Sequence, residues 1–146
     1  MNPFPIFFIP IKPNKGRQNT SLLLQLNLKT SKNDLGNIHL WQTHHPDPIH
    51  VMELASGTGN LILSLAELEC YILTGSDGSP EMVELARLKT EERNLRIPFE
   101  VQDFRNLKID HPKDVIFSVF DSINYLLKPE YLNTLLADSF KALKQD

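Results

Sequence analysis

The sequence predicts an α/β fold on a mostly parallel sheet, and three observations carry that prediction. From about residue 49 onward, short apolar runs alternate with helix-patterned stretches, as in successive βαβ units. The first apolar run passes into a loop of small residues, ASGTG, which contains Gly57 and Gly59. Each run ends on an acid or is followed closely by one: Glu53, Asp77, Asp103 and Asp121.

Residues 1 to 50 hold six of the ten prolines, six asparagines and no sustained periodicity apart from SLLLQLNL. Proline lacks the backbone donor and fixes φ, so residues 1–48 read as an irregular N-terminal segment, with the folded domain expected at 49–146. FPIFFIPI is apolar, but prolines at 5 and 10 interrupt it and no basic residue precedes it. It is too short to span a bilayer and lacks the n-region of a signal peptide.

In the domain, IHVMEL reads as the first strand and LILSLAELE as a helix, with Leu61, Leu65 and Leu68 on one face. CYILTGSD is the second strand. The next helix opens at Ser79-Pro80-Glu81, where serine can cap, proline suits the first turn and glutamate complements the dipole. PFEVQ is the third strand, ending at Asp103, and DVIFSVF is the fourth, nearly all apolar as when both faces are covered. A short helical turn fits NLKID or SINYL. Pro129-Glu130 then opens a last helix whose Leu132, Leu135, Leu136, Phe140 and Leu143 make one apolar stripe.

At 146 residues the chain is one domain with a sizeable core, and its 41% hydrophobic and 23% charged residues are ordinary for a globular protein. A net charge of −3 argues against a general nucleic-acid binder. Residues 1 to 50 carry five Lys or Arg against two Asp, and residues 51 to 146 carry ten against sixteen acids. The single cysteine, Cys70, lies in an apolar run and reads as a small buried side chain in a reduced, cytoplasmic protein. His44, His45 and His50 fall in a proline-broken loop with no metal-ligand spacing, so no metal is expected.

In an open α/β sheet, ligands sit beyond the carboxyl ends of the strands. Asp77 stands there, twenty positions after Gly57, where its two oxygens can accept both hydroxyls of a ribose. A dinucleotide loop wants G-x-G-x-x-G, but Ile62 stands where the third glycine belongs, and reading from Ala55 does not restore the pattern. Clustered carboxylates also suit a ligand with positive charge better than a pyrophosphate.

The series ELASGTGN, TGSDGSPEMVELAR, VQDFRNL and VFDSINYL, in that order, resembles the class I S-adenosylmethionine-dependent methyltransferases over about residues 49 to 146. The resemblance implies a Rossmann-like three-layer sandwich with strands, counted from IHVMEL, in the order 3-2-1-4. It also implies S-adenosyl-L-methionine as cofactor. Glu53 and the backbone of Ala55, Gly57 and Gly59 would hold its methionine end, and Asp77 its ribose, with Gly78 and Met82 beside the adenosine. Asp103 would accept from the adenine amino group, Phe104 would pack on the ring or offer its N–H, and Phe120 and Asp121 would line the pocket near the methyl. The methyl group is already activated, so catalysis is mainly positioning, no nucleophilic residue is expected on the protein, and a base is required only if the acceptor must lose a proton.

The chain departs from the family pattern at three places. Ala55 replaces the first glycine and is expected to be tolerated at negative φ. Gly78 follows Asp77 in place of a larger apolar residue. The chain stops before the family's fifth strand, which leaves the sheet incomplete on its C-terminal side. The fourth strand would then be an unprotected edge, an association hazard. The acceptor, a small molecule or another group, is not legible. Two further readings stand beside the first: a non-catalytic cofactor-binding or subunit-interaction module, and a nicotinamide-dependent oxidoreductase.

Overall fold

The computed structural model describes residues 7–9, 48–67, 71–119 and 122–144. The elements are β1 (Phe7–Ile9), β2 (Ile49–Leu54), α1 (Asn60–Ala66), β3 (Tyr71–Asp77) and α2 (Pro80–Glu92). They continue through β4 (Phe99–Val101), β5 (Val115–Ser118), a 3-10 turn (Ser122–Tyr125) and α3 (Pro129–Ala142). The 3-10 turn falls on SINYL. No helix among the described residues is long and apolar enough to cross a membrane.

The five strands lie in the order β1-β5-β2-β3-β4, with β2 to β5 mutually parallel and β1 antiparallel to β5. The four parallel strands have the expected 3-2-1-4 order. Two expectations need correction. The fourth domain strand, β5, is not an edge: Phe7, Phe8 and Ile9 pair with Ser118, Phe117 and Ile116. The N-terminal segment is accordingly not irregular throughout. Its FFI triplet is a short run of aromatic and β-branched residues between two prolines, and such a run is confined to the edge of a sheet, where a missing donor does no harm.

Each face of the sheet carries its own core. Ile49, Val51, Leu73, Phe99 and Phe117 pack with Ile62 and Leu65 of α1 and Val83 and Ala86 of α2. On the other face Met52, Leu54 and Ile116 pack with Leu107, Leu135 and Leu143. Strand β2 is covered on both sides, and every residue from Val51 to Leu54 is buried. The chain crosses from one face to the other between β4 and β5, so strand order reverses at β2. The carboxyl end of β2 is therefore the topological switch point, where such sheets open a crevice.

The helices follow their sequence signals with two differences. Helix α2 starts as expected: the Ser79 hydroxyl accepts the Met82 N–H at 3.2 Å, and Pro80 occupies the first turn. Helix α1 is buried more widely than one face, since Ile62 and Leu63 join Leu65 in the core, while Leu68 lies outside the described residues. In α3 the apolar stripe is only partly used. Leu135 is buried and Leu143 caps the helix in the core, while Leu136 and Phe140 are exposed and Ser139 is fully buried.

Phe99 fixes the approach of β4 to β3. A Cβ built on Gly75 would clash with the Phe99 ring and lie 3.1 Å from the Ser56 hydroxyl. Gly75→Ala is therefore expected to destabilise the chain by about 2 kcal/mol through overpacking, read as a lower urea midpoint with an unchanged slope. An unchanged midpoint would show that the ring yields freely.

Candidate functional site

The loop after β2 keeps to the sheet for one more bond and then turns sharply. The Ser56 N–H donates to the Ser76 carbonyl at 2.8 Å, continuing the β2–β3 ladder past Leu54. The Gly59 N–H then donates to the Ser56 carbonyl, and the Gly59 carbonyl accepts the Leu63 N–H to start α1, both at 2.9 Å. Within this turn Ala55, Gly57 and Gly59 have φ of 54°, 54° and 75°. Ala55 thus corrects the expectation of negative φ: this turn needs the left-handed region, and alanine occupies it at a cost of roughly 1 kcal/mol.

The two glycines serve different ends. A Cβ on Gly59 would lie 2.7 Å from the Phe99 ring and 3.3 Å from the Ala86 methyl, so its absence lets α1 and the loop close on β4 and α2. Among the described residues, a Cβ on Gly57 would meet nothing within 4 Å. The space beside Gly57 is open, and the packing of the described residues does not use it.

Three expected acids stand at strand ends. Glu53 is 1% exposed, and one oxygen accepts the Ile62 backbone N–H while Oε2 has no hydrogen-bond partner among the described residues. Burial, with a smaller contribution from the Asp77 charge, pushes its carboxyl up to about 8. Asp77 bridges the two ends of the site. Its Oδ2 accepts the Gly57 N–H at 2.8 Å and its Oδ1 accepts the Ser79 N–H at 2.9 Å. Asp103 is exposed, and Arg105 clamps it through both side chain and backbone. Those bonds pull its carboxyl down to about 2.

Of the remaining candidates, Gly78 is exposed beside Asp77, and Met82 is 40% exposed on the first turn of α2. Phe104 packs against the core of Met52 and Leu54, so its ring is engaged in the protein. Phe120 and Asp121 lie outside the described residues, as do Cys70, His44 and His45. Residues the sequence did not single out also build the site. Ser56 has a buried hydroxyl with no partner among the described residues. Lys89 of α2 donates to Thr58 Oγ1 at 2.7 Å and Asn60 Oδ1 at 2.9 Å, tying that helix to the loop. A helix residue thirty positions downstream carries no local signal for this contact. Gly75 could have been flagged, since glycine inside a strand marks a close approach.

The donor set is acceptor-rich. A loop that holds a phosphate presents free backbone N–H groups, but here the Gly57 N–H is already given to a carboxylate. What remains open is a buried carboxylate oxygen on Glu53, a buried serine hydroxyl and the space over Gly57. These fit a ligand with a cationic centre and hydrogen-bond donors.

A family profile for the methyltransferase domain matches residues 51–146. A provisionally named methyltransferase of Geobacillus sp. (strain WCH70) is 30% identical over 96 residues, which are 66% of this chain and 38% of that protein. YqeM of Bacillus subtilis (strain 168), also provisionally named, is 31% identical over 102 residues, 69% of this chain and 40% of its own. The chain thus spans about two fifths of the length of these curated relatives. Among solved structures, an S-adenosylmethionine-dependent methyltransferase from Clostridium acetobutylicum ATCC 824 superposes with a TM-score of 0.62 at 30% identity. That match covers 66% of this chain and 39% of the other.

Two stability measurements follow from the loop and its buried acid. Ala55→Gly should raise the unfolding free energy by about 1 kcal/mol, because glycine adopts positive φ without the Cβ clash; a loss of stability would mean that the turn is not strained. The Glu53 carboxyl holds its proton more tightly folded than unfolded, so its contribution is complete below its ordinary 4.5 and is lost as pH rises through about 8. Stability should therefore fall across that window by on the order of 5 kcal/mol, and Glu53→Gln should flatten the fall. Parallel pH profiles for the two proteins would assign the slope to other groups.

Proposed function

The chain belongs to the class I S-adenosylmethionine-dependent methyltransferase family, and we propose that it binds S-adenosylmethionine at the carboxyl ends of β2, β3 and β4 for methyl transfer to an acceptor. One observation carries this reading: the Asp77 carboxylate occupies the loop amide that a pyrophosphate would need, beside the buried Glu53. Ile62 supports it too. It is fully buried in the core between α1 and the sheet, so the helix packs closely without a third glycine.

In this reading the unpartnered Glu53 oxygen and the Ala55–Gly59 backbone receive the ammonium end of the ligand, whose positive charge favours the ionised form of the Glu53 carboxyl. Asp77 keeps its two amide donors and uses the remaining lone pairs of its oxygens for the ribose hydroxyls. Exposed Gly78 and Met82 border the adenosine. Asp103, fixed in an ionised state by Arg105, accepts from the adenine amino group, and Phe104, whose ring is in the core, contributes its backbone N–H. When bound, S-adenosylmethionine supplies a methyl group on a sulfonium, already activated for transfer. The protein's task is then to align donor and acceptor and to exclude water. Residues 49–146 form the cofactor-binding part of the domain, and residues 1–48 precede it and add the edge strand.

Calorimetry on the whole chain tests the proposal. S-Adenosylmethionine and S-adenosylhomocysteine should each bind at one site, while NAD should not. Gly57→Val should weaken both by at least about tenfold, because the new side chain fills the open space and must adopt positive φ. Binding of NAD in preference to S-adenosylmethionine, or unchanged affinity in the variant, would refute it.

A further inference from the structure

Strand β4 pairs only with Gly75, Ser76 and Asp77, so among the described residues the Tyr71–Thr74 half of β3 has no strand beside it on that edge. A cleft of about 430 Å³ opens there. It lies at the far end of the sheet from the glycine loop, about 20 Å away along the six-residue rise from Tyr71 to Asp77. The cleft is within the size range of small-molecule sites.

Its lining is chemically one-sided. Among the described residues, every ionisable side chain lining it other than Tyr71 is basic: His50, Arg96, His111 and Lys113, with no carboxylate. Lys113 is the buried member, 8% exposed, and among the described residues the one hydrogen bond of its ammonium goes to the Thr74 hydroxyl, at a long 3.4 Å. No salt bridge among the described residues includes Lys113, Arg96 or His111. Glu100 and Asp110 act on Lys113 through space, but the desolvation of its ammonium outweighs them and lowers its pKa. A buried ammonium without a counter-ion is costly, and pairing it with an anion offsets that cost. The walls around it are apolar, formed by Ile72, Leu73, Leu95, Ile97 and Pro98.

We propose that this cleft is a second binding site, for a small organic anion with an apolar body and a single carboxylate. The carboxylate meets the Lys113 ammonium at the floor, with Arg96 and His111 at the exposed rim. The apolar body lies against Ile72, Leu95 and Ile97. A monoanion matches the one buried cation, whereas a dianion such as phosphate would bring a surplus charge into a largely apolar cleft. The site is independent of the cofactor reading, because no residue is shared between the two.

Octanoate is the probe, titrated calorimetrically into the whole chain. Saturable one-to-one binding is expected, with 1-octanol and inorganic phosphate each at least about tenfold weaker. Lys113→Met should weaken octanoate by at least about tenfold, Lys113→Arg should retain most of the affinity, and Arg96→Ala, on the solvent side, should cost only about threefold. Absence of octanoate binding, equal binding of 1-octanol, or affinity unchanged in Lys113→Met would overturn the proposal. Phosphate binding as tightly as octanoate would overturn the assigned ligand class. If Lys113→Met fails to fold, the Arg96→Ala and 1-octanol comparisons still decide.

Discussion

The ring of Phe99 occupies space that exists only because residues 59 and 75 carry no side chain. It stands on β4, yet it sets the distance between the loop after β2, strand β3 and Ala86 of α2 at once. Its backbone is held as well, since the Phe99 carbonyl accepts from Arg87 Nε at 3.1 Å and Nη2 at 2.7 Å. The placement of the glycine loop over β3 follows from this wedge. So does the reach of the Asp77 carboxylate to the Gly57 amide across twenty residues of chain. The site geometry is thus anchored by an aromatic side chain that lies in the core.

Much of this architecture was legible in the sequence because its causes are local. Apolar runs long enough for buried strands, a serine-proline helix start and an acid twenty residues past a glycine loop each declare themselves within a few positions. The order of the four parallel strands came with the family resemblance. Features that depend on distant partners did not declare themselves. FFI reads as a greasy fragment until its pairing with β5 is seen, and Lys89 looks like any exposed helix lysine until it meets Thr58 and Asn60. Ala55 shows a different limit. Sequence marks alanine as small, but only the backbone shows that the position demands positive φ.

The charge environment of the two ends of the sheet is opposed. At the carboxyl ends of β2 and β3, Glu53 and Asp77 sit together, and the protein tolerates a buried acid by keeping it near neutrality. At the amino ends, the cleft that holds Lys113 is lined by His50, Arg96 and His111, while Glu100 and Asp110 act on Lys113 from outside that lining. Backbone orientation does not require either arrangement in a sheet, whose strand dipoles are small. Both buried ionisable groups weaken the ligand-free fold, and such groups cluster at functional positions.

The pairing of β1 with β5 bears on the order in which the chain assembles. Strands β2 and β3, with α1 between them, close over short chain separations and can form early, whereas Phe7 must find Ser118 across roughly a hundred residues. That closure brings only a three-residue ladder. A three-residue ladder closed over so long a loop is expected to dock late and to leave early. Amide exchange in β5 should be governed by brief departures of β1, at a far lower free energy than global unfolding. During synthesis Phe7–Ile9 emerge long before the β5 strand with which they pair, so this pairing forms only after the parallel strands between them have been made.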